Sequence, residues 1–440
     1  MTSPRRPAPA GQWRNWAGNV AAQPRRVSAP ESAEQVADEV RRAACDGMAV
    51  RMTGSGHSFT PVAVTDGVLL RPGGLTAIRS VDGRAGLVTV EAGCPLYKLN
   101  AELLARGLAL ANMGDIQVQT VAGAVQTGTH GTGRDLGGMA AQVAGLEMVL
   151  ADGTITSCSA DSPGGLFDAA RVAMGALGVL TAVTFRVVPA FLLEAREEPM
   201  RWSEVISRLD ELTSENEHFE FYWFPHSEGC LTKRNNTSAG PPQPLSRWRH
   251  WLDDEFLSNT VFGATCSLGH RVPGVIRTVN AAAGRAIGSR AYVDAAYRVF
   301  TSPRRVRFKE QEYAIPRAEL AGVLREIRAL FDARDWRISF PIEVRVAPGD
   351  DLWLSTAYGR DSAYIAIHIF RASAHEEYFH AVEDVMTAAG GRPHWGKMHT
   401  RDAGYLRDAY PRFAEFVALR DTLDPERRFG NAYLEQVLGS

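Results

Sequence analysis

Three shortages in this chain each exclude a class of function. Among its 440 residues, no apolar run reaches the roughly 20 residues that a membrane-spanning helix requires. Near the start, Arg5-Arg6 is followed by Pro7-Ala8-Pro9-Ala10-Gly11, without the hydrophobic region expected of a secretory signal. The five cysteines (Cys45, Cys94, Cys158, Cys230 and Cys266) are odd in number, widely spaced and never arranged as Cys-x-x-Cys. That usage points to reduced thiols in a cytoplasmic protein and offers no zinc site, so no metal is expected. Contact with a membrane surface is compatible with the same composition. Net charge is also scarce, at −2, with 22% charged and 45% apolar residues. This is the balance of a soluble globular protein, and it argues against a nucleic-acid partner. Two basic clusters, Arg304-Arg305-Val306-Arg307 and Arg247-Trp248-Arg249-His250, read as solvated faces because acidic residues follow closely.

Lysine is rare too. Only four lysines stand against dozens of arginines, and one of them, Lys397, lies in the run Arg392-Pro393-His394-Trp395-Gly396-Lys397. A lysine kept in such a background implies a site that needs a compact ammonium rather than a planar fork.

What is present divides the chain. Its length exceeds what one core supports, so two or more domains are expected. Ser32-Ala33-Glu34-Gln35 reads as a capping box opening a helix with Val36, Val40 and Ala44 behind it, and Gly47 as its end. Strands are expected over 49–52, 68–70 and 87–91, a helix over 96–106, and a hairpin around Asp152-Gly153. The apolar strand 179–188 ends at Pro189, the first domain boundary. Beyond it, 219–224 is an aromatic strand, 240–244 a loop, 281–298 and 318–333 helices, and 340–346 and 363–370 strands. His375-Glu376-Glu377 and His380 mimic a zinc motif, but their spacing of five misses a shared helix face, so an amphipathic helix is the better reading.

Gly54-Ser55-Gly56-His57-Ser58-Phe59 begins like a dinucleotide fingerprint and fails it, because Phe59 stands where the third glycine belongs. Gly396-Lys397 fails as a phosphate loop, since Met398 follows. The 54–58 segment still offers consecutive small residues whose N–H groups can converge on a phosphate. A plain surface turn is the competing reading. Val121 to Gly133 is a second small-residue segment, with four glycines and three threonines. It suits a backbone lying against a ligand, or else a glycine-rich connection. In Phe340 to Val346, period two sets Glu343 and Arg345 on one face and Ile342, Val344 and Val346 on the other. The same alternation in Tyr364 to Ile369 sets His368 opposite an isoleucine face. Glu343 and Arg345 make either a substrate platform or an exposed ion pair of little worth; His368 is either part of that platform or a satisfied, half-buried histidine.

Taken in order, Trp13-Arg14-Asn15-Trp16, the 54–59 loop, the 123–133 segment, Glu343-Val344-Arg345 and His394 to Lys397 carry a resemblance over nearly the whole chain. It resembles the sugar-1,4-lactone oxidases, FAD flavoproteins of the vanillyl-alcohol-oxidase (PCMH-type) fold. That family includes the L-gulono-1,4-lactone oxidases and dehydrogenases and the D-arabinono-1,4-lactone oxidases, with alditol oxidases as near relatives. The resemblance implies an α+β protein: a two-subdomain FAD-binding domain over 1–188, and an α+β cap domain with an antiparallel sheet over 189–410. A C-terminal segment, 411–440, would return to the FAD domain.

It further implies a cofactor set of Thr53, Gly54, Ser55, Gly56, His57, Ser58, Gly114, Asp115, Thr120, Gly123, Ala124, Thr127, Thr129, His130, Gly131 and Lys397. The 54–58 loop would cradle the pyrophosphate, and His57 would be bonded covalently to the flavin, as a neutral imidazole can be. Glu343, Arg345, His368 and Lys397 would be catalytic: cations to stabilise charge at the flavin edge, and Glu343 or His368 to take the substrate's proton. The expected reaction is hydride transfer from a sugar-1,4-lactone to flavin N5. The alternative is an alditol oxidase acting on a terminal primary alcohol. A small residue at Gly114 would favour oxygen as acceptor over a cytochrome or dye.

Overall fold

The computed structural model describes residues 12–286 and 288–440; the Arg5-Arg6 segment lies outside them. Ser32, extended at φ −149°, accepts from the Gln35 N–H, while Gln35 Oε1 accepts from the Glu31 N–H at 2.9 Å. These bonds satisfy donors that helix Ala33–Cys45 would otherwise leave open. Its apolar stripe of Ala33, Val36, Ala37, Val40 and Ala43 is buried, and Gly47 ends the turn at φ +62°. Val36 and Val40 are wholly buried, a contribution of about 1.5–3 kcal/mol each. Both pack with Val50, Val68 and Leu70 from a parallel three-stranded sheet ordered Arg26–Ser28, Val68–Leu70, Val50–Met52.

Beside this unit stands a five-stranded antiparallel sheet ordered Ile155–Ser159, Val143–Val149, Val179–Arg186, Leu87–Glu91, Ile78–Asp82. Its hairpin turns at Asp152-Gly153. Asp152 Oδ1 accepts from the Thr154 N–H at 2.8 Å, and Gly153 takes φ +82°, a conformation that disfavours side chains. Helices Ala403–Ala409, Phe413–Leu423 and Ala432–Leu438 join the same core through Leu406, Phe413, Phe416, Leu434 and Val437. Arg51 ties these distant segments together. Its buried guanidinium donates to the carbonyls of Val62, Met174, Gly175 and Phe429 at 2.5–3.1 Å. Burial lowers it to about 10.

The remaining large sheet has eight strands, all antiparallel, ordered Arg290–Ala295, Leu192–Arg201, Gly229–Ser238, His218–Trp223, Ile342–Ala347, Ser362–Phe370, Phe308–Pro316, Arg392–Pro393. One face is apolar: Phe219, Phe221, Trp223, Ile342, Val344, Val346, Ile365, Ile367 and Ile369 pack under helices Leu320–Ala333 and Glu376–Ala388. The opposite face of these strands carries charge. The fold is therefore α+β, with one parallel sheet and several antiparallel ones. Among the described residues, no helix is long and apolar enough to cross a membrane.

Three expectations need correction. The helix read over 281–298 is two shorter ones, Ile276–Ala286 and Ala296–Phe300, separated by strand Arg290–Ala295; residue 287 lies outside the described residues. Gly288 breaks the run, and Tyr292-Val293 suits an edge strand that pairs with Leu192–Glu197. Val121–Gln126, read as backbone lying against a ligand or as a glycine-rich connection, is a short helix capped by Thr120. Arg304, read as solvated, reaches inward and donates to Asp115 Oδ2 at 2.7 Å.

Candidate active site

The Gly54 turn opens a groove whose lining includes Thr53–Ser58, Gln119, Thr120, Gly123, Thr127 and Gly175, with a cavity volume of about 110 Å³. Its glycines are required by space. A Cβ on Gly54 would lie 2.4 Å from Thr120 Oγ1, and one on Gly123 would lie 3.0 Å from the same atom. Gly56 takes φ +75° beside the Trp13 ring. The glycine backbone thus approaches the Thr120 side chain along the groove, where the Thr120 hydroxyl accepts from the Gly123 N–H and the Thr127 hydroxyl donates to the Gly123 carbonyl. These residues fit the phosphates and ribose of a dinucleotide cofactor.

Two segments clamp the turn from opposite sides. From the N-terminus, the Trp16 N–H donates to Gly56 O at 2.7 Å, Asn15 Nδ2 to Ser58 O at 3.0 Å, and the Trp16 ring stacks on His57 at 5.3 Å. From the C-terminal run, the Phe59 N–H donates to Gly396 O at 2.7 Å and Thr60 Oγ1 to Trp395 O at 2.9 Å. Lys397 is thereby carried next to the turn. Burial, then the Lys397 charge, pushes His57 down to about 4. Its imidazole is neutral at ordinary pH and keeps a nucleophilic nitrogen.

The charged sheet face meets this groove. Antiparallel register sets Glu220 opposite Arg345, and Tyr222 opposite Glu343. Arg345 Nε donates to Glu220 Oε2 at 2.7 Å, and its Nη2 is paired with both Asp115 Oδ1 and Glu343 Oε1. Arg304 holds the other Asp115 oxygen, and Lys233 sits 3.3 Å from Glu220 Oε1. Burial raises Asp115 and Glu220, but Arg345, helped by Arg304 or Lys233, outweighs it, holding Asp115 well below its ordinary value and Glu220 below its own. Glu343 goes the other way. Burial raises it, and although Arg345 opposes this, the Asp115 and Glu220 carboxylates add to the rise. The Tyr222 hydroxyl donates to Glu343 Oε1 at 3.2 Å. Three carboxylates therefore share one guanidinium, and Glu343 is the one readiest to bind a proton.

A second group lies along the neighbouring strand Phe308–Pro316. Glu310 pairs with Lys397 through Oε2 and faces His368 Nε2 at 3.4 Å through Oε1. Glu312 faces His130 Nε2 at 3.0 Å. Each histidine turns its Nδ1 to a carbonyl: His368 to Pro341 O at 3.2 Å, His130 to Gly131 O at 2.9 Å. Carbonyls only accept, so Nδ1 carries a proton in both, and the other nitrogen faces a carboxylate. In His368 that nitrogen, Nε2, faces Glu310 Oε1. Burial pushes His394 down to about 4, and its Nδ1 accepts from the Gly396 N–H at 3.0 Å. The triads Asp115–Glu220–Glu343 and His130–Glu312–His394 each gather three ligand atoms within 4.8 Å. In the first, Arg345 already occupies the cation's place.

The structure divides the residues singled out from sequence. Thr53 to Ser58, Thr120, Gly123 and Thr127 line the groove; Ala124 points into the apolar core. Gly114 and Gly131 serve the packing of 112–114 against 129–131, since a Cβ on Gly131 would lie 2.1 Å from Met113 O. Thr129 is buried there, bonded by Gln119 Nε2 at 3.1 Å. Asp115, grouped with the cofactor from sequence, belongs to the Arg345 cluster. Glu220, Tyr222, Arg304, Glu310 and Glu312 escaped the sequence reading. For four of them a signal existed: Glu220 and Tyr222 alternate with Phe219, Phe221 and Trp223, and Glu310 and Glu312 alternate within one strand.

The groove and the charged sheet face, together with the family matches, make this an FAD-dependent oxidoreductase of the vanillyl-alcohol-oxidase fold. Residues 24–159 match the FAD-binding domain model, and 183–437 match the D-arabinono-1,4-lactone oxidase model. The chain belongs to the D-arabinono-1,4-lactone oxidase family. It is 42% identical over 427 residues to an L-gulono-1,4-lactone dehydrogenase of Mycobacterium tuberculosis, covering 97% of this chain and 99% of that protein. It is 34% identical to the L-gulonolactone oxidase of Bos taurus (97% and 98% covered) and 33% identical to an alditol oxidase of Streptomyces (96% and 98%). Cholesterol oxidase from Brevibacterium sterolicum shares the fold at TM-score 0.82 and 18% identity, covering 97% of this chain and 96% of that one.

Proposed function

We propose that this protein oxidises an aldono-1,4-lactone, L-gulono-1,4-lactone or a close relative, at a hydroxyl-bearing carbon. The observation that carries the reading is Glu343, its carboxyl raised, beside an Arg345 fixed by Glu220 and Asp115. The identities with two gulonolactone-oxidising enzymes support the substrate class. Bound FAD supplies the acceptor for the hydride. Glu343 takes the proton of the substrate hydroxyl, and Tyr222 steadies the Glu343 oxygen that does not. Arg345 binds the substrate oxygen in an orientation held by its three carboxylate partners, Asp115, Glu220 and Glu343. Lys397 supplies a compact cation where charge accumulates during reaction. His57 is the point of covalent attachment, held neutral by burial and Lys397 and steadied by Trp16. The chain divides at 188, with the segment from helix Ala403–Ala409 onward returning to the first domain.

Anaerobic bleaching of the visible flavin band tests this reading, with L-gulono-1,4-lactone and xylitol in parallel. Bleaching by the lactone alone is expected. Bleaching by xylitol alone moves the protein to the alditol oxidases, and reduction by neither overturns the substrate class. Peroxide formed during aerobic turnover identifies oxygen as the acceptor; its absence points to a cytochrome or dye.

A further inference from the structure

Lys397 approaches the flavin groove with one anionic partner among the described residues, Glu310. That carboxylate is buried on strand Phe308–Pro316 and has both oxygens engaged, one with the Lys397 ammonium and one with His368 Nε2. Lys397 itself is 23% exposed, and its Nζ lies 5.4 Å above the Phe59 ring. The Phe59 backbone in turn is bonded to Gly396. The ammonium is therefore fixed by its own loop, an aromatic face and Glu310.

We propose that Glu310 is a positioning residue that sets both the place and the effective charge of Lys397 at the flavin, and so tunes the cofactor's reduction potential. The inference rests on the reading that Lys397 faces the flavin. With Glu310 ionised, the pair is neutral seen from a distance, and the ammonium acts only over short range. Replacing Glu310 by glutamine keeps shape and acceptor but removes the nearest counter-charge, leaving only Glu312 and Glu343 acting from further away. A less compensated cation favours the electron-rich, reduced cofactor. The shared carboxylate also ties His368 to the same unit, which explains why both of that histidine's nitrogens face acceptors.

The test compares wild-type, Glu310→Gln, Glu310→Asp and Lys397→Met holoenzymes, each equilibrated against a reference dye at one fixed poise. One uncompensated charge nearby, at an effective dielectric of about 20, raises the reduced-to-oxidised flavin ratio about tenfold in Glu310→Gln. In Glu310→Asp the charge is kept but the contact is lengthened, and the rise is expected to be about threefold. Lys397→Met lowers the ratio. If Glu310→Gln fails to fold with flavin, Glu310→Asp carries the test alone. A wild-type ratio in the folded Glu310 variants, with a shifted ratio in Lys397→Met, would leave Glu310 as packing only and overturn the inference. An unshifted Lys397→Met removes the reading beneath it, and the inference falls with it.

Discussion

Arg345→Met is the sharpest perturbation of this site, because it removes the one group that bonds all three carboxylates of Asp115, Glu220 and Glu343. Their oxygens lie within 4.8 Å of one another. At that spacing and an effective dielectric of about 20, each pair of ionised carboxylates repels by about 3 kcal/mol. The cluster has a cheaper response, which is to bind protons. Holding a carboxyl protonated at pH 7 against an ordinary value near 4.3 costs about 4 kcal/mol, so the loss of stability is expected at about 3–5 kcal/mol. The pH dependence carries the signature. In the wild type, Asp115 and Glu220 are depressed, so the stability they contribute is present above the unfolded value and lost as pH falls through the folded one. In the variant all three carboxyls are raised, and stability is lost as pH rises instead. Urea denaturation of both proteins at pH 5 and pH 8 should show a gap that widens at pH 8, and Glu220→Gln added to the variant should narrow it. A gap that is the same at both pH values would refute the shared-cation account.

Other outcomes follow from the same geometry. Flavin should stay with the wild-type polypeptide on acid precipitation, and His57→Ala should release it; a wild type that already releases its flavin refutes covalent attachment. Gly54→Ala puts a methyl 2.4 Å from Thr120 Oγ1, so the purified variant should lose most of its visible flavin absorbance while keeping its far-ultraviolet circular dichroism; full flavin occupancy would show that the turn yields. Burial pushes Asp350 up to about 6 despite its bond to Ser355 Oγ. A raised carboxyl costs stability as pH climbs from the unfolded value through 6, so Asp350→Asn should gain about 1–3 kcal/mol on the wild type at pH 8 relative to pH 5. Equal differences at the two pH values would mean that water reaches Asp350.

Local chemistry made much of the frame legible before any coordinates. Ser32 and Gln35 close the first helix as a capping box, and Asp152-Gly153 turns the hairpin, because both signals act over a few residues. The alternation of Ile342-Glu343-Val344-Arg345 fixed which side of its strand would carry charge, since a strand has only two faces. The same period-two rule, applied to Glu220-Phe221-Tyr222 and Glu310-Gln311-Glu312, would have found four further site residues. It failed over 281–298, where helical spacing continued across Gly288 and concealed an edge strand.

By itself, then, the sequence determined the cofactor turn, the charged strand face and the isolated lysine, because each is written in neighbouring residues. Tertiary structure alone decided which charges meet. Arg345 reaches Glu220 across 125 positions and Asp115 across 230, and Lys397 finds Glu310 only after the C-terminal run docks on the 54–59 turn. A side chain's protonation follows from the charges and burial around it, and those exist only once the chain has folded.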